Sequence, residues 1–264
     1  MFKKSLYLIG IVSCFLLFSS YARAEVDAEV AYILNTFSFL VCGFLVMWMA
    51  AGFLFLESGL VTTRSVSTIA AKNIGKFAIV SIVFYLFGYN LGYGVEEGGY
   101  LGFPSLWTDN TSMDTGYSDA SDWFFQALFV CATVSIVSGA VAERIKIWPF
   151  FVFAAVLGGL IYPIQMGWEW GGGWLDALGF SDFAGSTLVH ACGGSAALAG
   201  VILLGPRLGR FTDTGEPVNM APFAPSSIPL VTLGTFILWM GWYGFNGGSQ
   251  LALGSYEDAT AMSQ

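Results

Sequence analysis

Six stretches of this chain run for 18 to 24 residues without a Lys, Arg, Asp or Glu: roughly 33–56, 77–94, 123–142, 148–166, 183–205 and 228–250. An α-helix of about 20 apolar residues covers the ~30 Å hydrocarbon core of a bilayer. Each stretch is therefore read as a membrane-spanning helix. A seventh apolar run, 6–18, is too short for that role. It follows Lys3 and Lys4 and precedes Ala22-Arg23-Ala24, the order of basic, apolar and small-residue regions in a secretory signal. The expected architecture is an all-α membrane protein with a signal peptide at 1–24 and six transmembrane helices in a single unit, 25–264.

The connections alternate in charge. Removal of 1–24 takes Lys3, Lys4 and Arg23 and leaves seven basic residues against 18 acidic ones. Arg64, Lys72 and Lys76 follow the first span, Arg144 and Lys146 the third, and Arg207 and Arg210 the fifth. Connections 95–122 and 167–182 contain no base and carry Glu96, Glu97, Asp109, Asp114, Asp119, Asp122, Glu169, Asp176 and Asp182. The positive-inside rule puts the basic connections in the cytoplasm, and a cleaved signal independently puts the mature N-terminus outside. The expected location is an inner (plasma) membrane. Connection 95–122 reads as a cap over the outer face, and the Pro-containing 206–227 as a linker.

Composition agrees and narrows the function. Hydrophobic residues make up 56% and charged residues 11%, where soluble domains carry about 25% charged. The acidic balance offers nothing to a nucleic acid. The 33 glycines suit close approach of membrane helices. Cys14, Cys42, Cys131 and Cys192 stand singly, with no zinc or disulfide spacing. No nucleophile–base pair, metal-ligand set or cofactor loop is visible, so an enzyme is not expected.

One ionisable residue lies inside a span. His190 is the only histidine of the chain, and an intramembrane ionisable group usually faces a cavity or a partner. Asp182, eight residues earlier, can cap the start of that helix; alternatively it can help a cation on the outer side. Phe125 and Phe129 share one face of the third span at i, i+4, and composition alone reads them as core or lipid-facing. Trp170 ends the fourth span, where tryptophan commonly anchors at the interface. Phe245 and Ser249, again i, i+4, end the sixth. The topology puts these aromatic and hydroxyl groups at the outer side, above His190. Aromatic faces attract cations by ~0.5–2 kcal/mol. The pattern points to a small cation recognised at the mouth and an uncharged passage deeper in.

These residues resemble the Amt/Mep/Rh ammonium transporter family. The run Asp182–His190, DFAGSTLVH, is similar to its D-F-A-G…V-H motif. Ala142-Glu143-Arg144 resembles its A-E-R turn, and 241–249, GWYGFNGGS, its G-W-x-G-F-N-x-G-S motif. GFLFLESGLVTTR at 52–64 resembles the end of its first helix, and Lys72-Asn73 the K-N pair beyond it. The resemblance covers roughly 27–264. It implies ammonium recruitment by Phe129, Trp170 and Ser249, a stacked gate of Phe129 and Phe245, and His190 as a pore histidine past which ammonia travels. It implies an architectural role for Asp182 near the outer site. No cofactor is expected, and no metal, since no second histidine exists to join His190. It also implies a homotrimer and, in full-length members, a cytoplasmic regulatory protein. The family fold has about eleven spans in two inverted repeats, with a second pore histidine in the second repeat. This chain corresponds to the N-terminal half, and a longer parent protein is expected. The alternative function is an ammonium sensor that signals to a downstream domain.

Overall fold

The computed structural model describes residues 26–264, and the signal at 1–24 lies outside the described residues. Six helices are long and apolar enough to cross a membrane: α1 Ala28–Leu60, α2 Thr63–Tyr93, α3 Asp119–Ala140, α4 Ile147–Gly167, α5 Ser186–Leu204 and α6 Ile228–Gly248. A short amphipathic helix, α7 Tyr256–Ser263, comes last. The chain is a multi-pass, all-helical membrane protein, and no strand occurs among the described residues.

α3 is the central element. Phe125, Phe129, Val130, Thr133, Val134, Val137 and Ser138 are all buried along it, because α1, α2, α5 and the middle of α4 surround it. α1 and α6 pack with their backbones almost touching. A Cβ at Gly234 would sit 2.5 Å from the Leu56 nitrogen, and one at Gly244 2.8 Å from the Cys42 carbonyl. Glycine is required at both, since helix association in lipid depends on close packing. α2 and α4 each contain a π-helical turn, Phe84–Gly88 and Leu157–Ile161.

Hydrogen bonds sort the connections to opposite ends. At one end Glu143, in the turn after α3, accepts from the Thr62 N–H and from the Thr62 and Ser65 hydroxyls, and pairs with Arg207. At the other end Gly98 N–H bonds the Gly172 carbonyl, Trp168 Nε1 the Tyr100 carbonyl, and Asn35 Nδ2 the Gly116 carbonyl. Segment 95–118 thus lies as a cap across the acidic end, and 206–227 is pinned through the Ser226 and Ser227 N–H groups to Val61 and Gly59.

Several boundaries differ from the hydropathy pattern, and two of the differences concern polar or strained positions. The second span begins at Thr63, so Lys72 and Lys76 are not loop residues. Both are buried in α2 beside Glu57 of α1, at 3.2 and 3.5 Å. Hydropathy ends a span at the first charges, but a carboxylate on the neighbouring helix lets two lysines continue inside. The fifth span begins at Ser186, not at 183, because Gly185 takes a left-handed φ of 91°.

Candidate functional site

Asp182 organises the outer end of α5. One carboxylate oxygen accepts from the Gly185 and Ser186 N–H groups at 2.8 and 3.0 Å, the other from Thr187 and Leu188 at 2.7 and 2.8 Å. Four backbone donors that a helix start leaves open end on one side chain. Asp182 is buried and does not line the outer cavity. Its backbone carbonyl receives Trp170 Nε1 at 2.6 Å, which holds the indole in place.

α5 itself opens as a π turn, Ser186–Ala191. The Gly185 carbonyl accepts both the His190 backbone N–H at 2.9 Å and the ring Nδ1 at 3.0 Å. A carbonyl can only accept, so Nδ1 carries the hydrogen, and any lone pair of the ring is on Nε2. Gln165 Nε2 donates to the Leu188 carbonyl at 2.7 Å, satisfying an acceptor of the same turn. π turns recur at functional positions.

Phe125, Phe129, Trp170 and Ser249 meet around one cavity of about 100 Å³, completed by Tyr93, Gln126, Phe183 and Leu251. Phe129 is in edge contact with Phe125 at 4.7 Å and with Trp170 at 5.9 Å between centroids. Ser249 spends its hydroxyl hydrogen on the Phe245 carbonyl at 2.8 Å, which leaves oxygen lone pairs for an N–H donor. The rings of Phe129 and Phe245 lie 3.9 Å apart at 37°, and both are fully buried. His190 stands 5.5 Å from the Phe245 ring and is stacked on Trp242 at 4.8 Å. The order is cavity, ring pair, imidazole.

The structure brings Phe129, Trp170, Ser249, Phe245 and His190 into this one line. It sets Asp182 beside the line as a cap. Sequence reading misses Tyr93 and Gln126 in the wall; a signal for Gln126 is a lone amide between Phe125 and Phe129 on an apolar helix. It also misses that Glu57, Lys72, Asn73, Lys76 and Ser138 form a buried polar group toward the basic end, where Ser138 Oγ donates to Glu57 at 2.8 Å and Lys72 to the Ser138 carbonyl at 2.8 Å. The spacing of four between Lys72 and Lys76 is the available signal.

Two carboxyls outside the spans are shifted in opposite directions. Burial pushes Glu143 up, but hydrogen bonds from Thr62, Ser65 and Arg207 outweigh it and bring the carboxyl down to about 2. Burial, reinforced by the Asp182 and Asp176 carboxylates, holds Glu169 above its ordinary value against the Asp182 N–H that it accepts. No group of three or more His, Cys, Asp or Glu residues that could hold a metal occurs among the described residues.

Comparison with known proteins places these features. The sequence model of the Ammonium Transporter Family matches residues 37–264. Ammonium transporter Amt2 of Archaeoglobus fulgidus is 42% identical over 223 residues, 81% of this chain and 47% of that protein. An ammonium transporter of Aquifex aeolicus is 35% identical over 97% of this chain and 58% of its own length. Among solved structures, a protein described as a sensor Amt protein superposes with a TM-score of 0.79 at 32% identity, covering 88% of this chain and 58% of that one. The chain spans about half the length of the relatives it matches.

Proposed function

Since the chain belongs to the ammonium transporter family, we propose that it carries ammonium across an inner membrane, taking the cation into the outer cavity and passing ammonia inward past His190. The arrangement that carries this reading is the Phe129–Phe245 pair, 3.9 Å apart, set between the cavity and the imidazole. The faces of Phe129 and Trp170 offer cation–π attraction, and Ser249 offers an oxygen acceptor. This suits an ion with hydrogen-bond donors in every direction. An isolated ion loses far more in hydration than such contacts return inside a low-dielectric passage. The ammonium therefore gives up a proton to water on the outer side, and the nitrogen continues as ammonia. Nε2 of His190 is the acceptor beyond the ring pair for an ammonia N–H.

The basic turns at Arg64, Arg144, Lys146, Arg207 and Arg210 support a cytoplasmic position for that end, with the mature N-terminus and the cavity outside. By the family resemblance the protein assembles as a homotrimer, meets a cytoplasmic regulator in its full-length form, and carries the opposite pore wall on a second repeat. The test is uptake of labelled methylammonium by the protein as the cell makes it. His190→Ala should abolish uptake or alter its selectivity while the protein still reaches the membrane. Uptake and selectivity equal to wild type would refute the pore role.

A second reading is an ammonium sensor, favoured by the likeness to the sensor Amt protein at TM-score 0.79. Substrate-dependent output from a downstream domain, without methylammonium flux, would select it.

A further inference from the structure

Beside the outer cavity lies a carboxylate that the pathway above does not use. Asp122, in the first turn of α3, is only 5% exposed. It faces Tyr89 of α2 and Gln126 one turn along its own helix. Tyr89 donates its hydroxyl to Oδ2 at 2.5 Å, and Gln126 Nε2 donates to Oδ1 at 3.4 Å. Gln126 is itself only 6% exposed and lines the cavity with Phe129, Trp170 and Ser249.

A side-chain amide has one donor end and one acceptor end. A carboxylate only accepts when ionised, so the end of Gln126 that faces Asp122 must be its NH₂. The opposite orientation would set two acceptor oxygens against each other in a buried place, at a cost comparable to a lost buried hydrogen bond. The carbonyl oxygen is then the end left for the cavity, and among the described residues no group donates to it. Ser249 reaches the same condition by another route, since its hydrogen is given to Phe245.

Resting on the ammonium reading, we propose that Asp122 is a positioning residue of the outer site: it locks the Gln126 amide so that Oε1 faces the cavity as an uncharged acceptor for an N–H of the cation. Asp122 does not touch the substrate. Its effect runs through Gln126, and Tyr89 holds the carboxylate in register. Two fixed oxygen acceptors, Ser249 Oγ and Gln126 Oε1, then accompany the aromatic faces. Such a set favours an ion that donates hydrogen bonds over an alkali ion of similar size.

The test is a double-mutant cycle on methylammonium uptake, with surface expression measured for every variant. Asp122→Ser keeps a small polar group that can both donate and accept, so the amide is no longer held. It should raise the half-saturating concentration about tenfold with little change in maximal uptake. Gln126→Leu should do the same. In the Gln126→Leu background, Asp122→Ser should add less than about twofold. Asp122→Glu should recover part of the affinity. Equal effects of Asp122→Ser in both backgrounds would overturn the proposal, because the carboxylate would then act by its own charge or by folding. No effect in the wild-type background would overturn it too. Trp170→Leu separates the two levels: if it leaves affinity unchanged, the ammonium reading itself fails. If it weakens affinity and Asp122→Ser does not, only the role of Asp122 fails.

Discussion

The Phe129 and Phe245 rings lie 3.9 Å apart, tilted by 37°, and Phe129 lines the outer cavity. Neither ring is reachable by solvent. The two rings come from different helices, α3 and α6, and the proposed function makes them the barrier between the cavity and the imidazole. Removing one ring should join the compartments. Phe245→Ala is expected to lower the ratio of methylammonium to potassium permeation at least about tenfold, since a continuous water path would relieve the dehydration of any cation. Ion flux measured in proteoliposomes checks this; an unchanged ratio means the pair is packing and not a barrier.

Asp182 should be far less replaceable than an ordinary cap. Both of its oxygens accept, each from two backbone N–H groups. Asn would turn an NH₂ toward one of those pairs of donors. Asp182→Asn should therefore destabilise nearly as much as Asp182→Ala, by more than the ~1 kcal/mol typical of a lost cap. Thermal unfolding in detergent reads the outcome. A mild effect of Asn beside a severe effect of Ala would contradict the two-sided cap.

The buried group of Glu57 with Lys72 and Lys76 predicts effects of opposite size. Glu57→Gln leaves two buried lysines without a counter-charge and should cost about 3–5 kcal/mol. Lys76→Met leaves the Glu57–Lys72 pair, at 3.2 Å, with no surplus charge and a side chain of similar volume, and should be neutral or stabilising. Denaturant melts of both variants decide it; a Lys76→Met loss as large as that of Glu57→Gln would show that both lysines are needed.

pH should separate the two shifted carboxyls. Glu143 is held down to about 2, so the stability it contributes is present above the unfolded range near ~4.3 and is lost as pH falls through about 2. Glu143→Gln should lower the melting temperature at pH 6 and make little difference at the lowest accessible pH. Glu169 is held above its ordinary value. The folded state then keeps a proton that the unfolded chain releases, and stability falls as pH rises past the unfolded value. Glu169→Gln should raise the melting temperature at pH 7–8 and leave it unchanged near ~4. Melting curves over that range test both signs.

Part of the site is legible in the amino-acid order alone. The motif around His190 and the run ending in Ser249 carry the resemblance that brings Phe129, Trp170, Ser249, Phe245 and His190 together. Residue chemistry by itself reads Phe125 and Phe129 as core or lipid-facing, and no property of phenylalanine divides those readings. Gln126 and Asp122 escape notice because each looks like an ordinary helix residue until a partner on another element defines it. Hydropathy puts Lys72 and Lys76 in a loop because Glu57, their counter-charge, sits on a different helix. α7 has no signal in the apolar pattern. Its polar residues resemble a loop, and its place depends on contacts such as Ser38 with Met262.

The number of spanning helices and the sorting of their connections are properties of the chain as a line. Transfer of a segment into hydrocarbon depends on its own length and polarity, and the charge bias is counted loop by loop. Which side of each helix meets a neighbour is settled only by packing. Lipid tails are as apolar as a leucine side chain, so turning a phenylalanine from lipid to core changes its hydrophobic energy little. The choice falls to shape and hydrogen bonds: glycines that let α1 and α6 touch, a carboxylate that gathers four amides at Asp182, and two rings from distant parts of the chain that fill one gap.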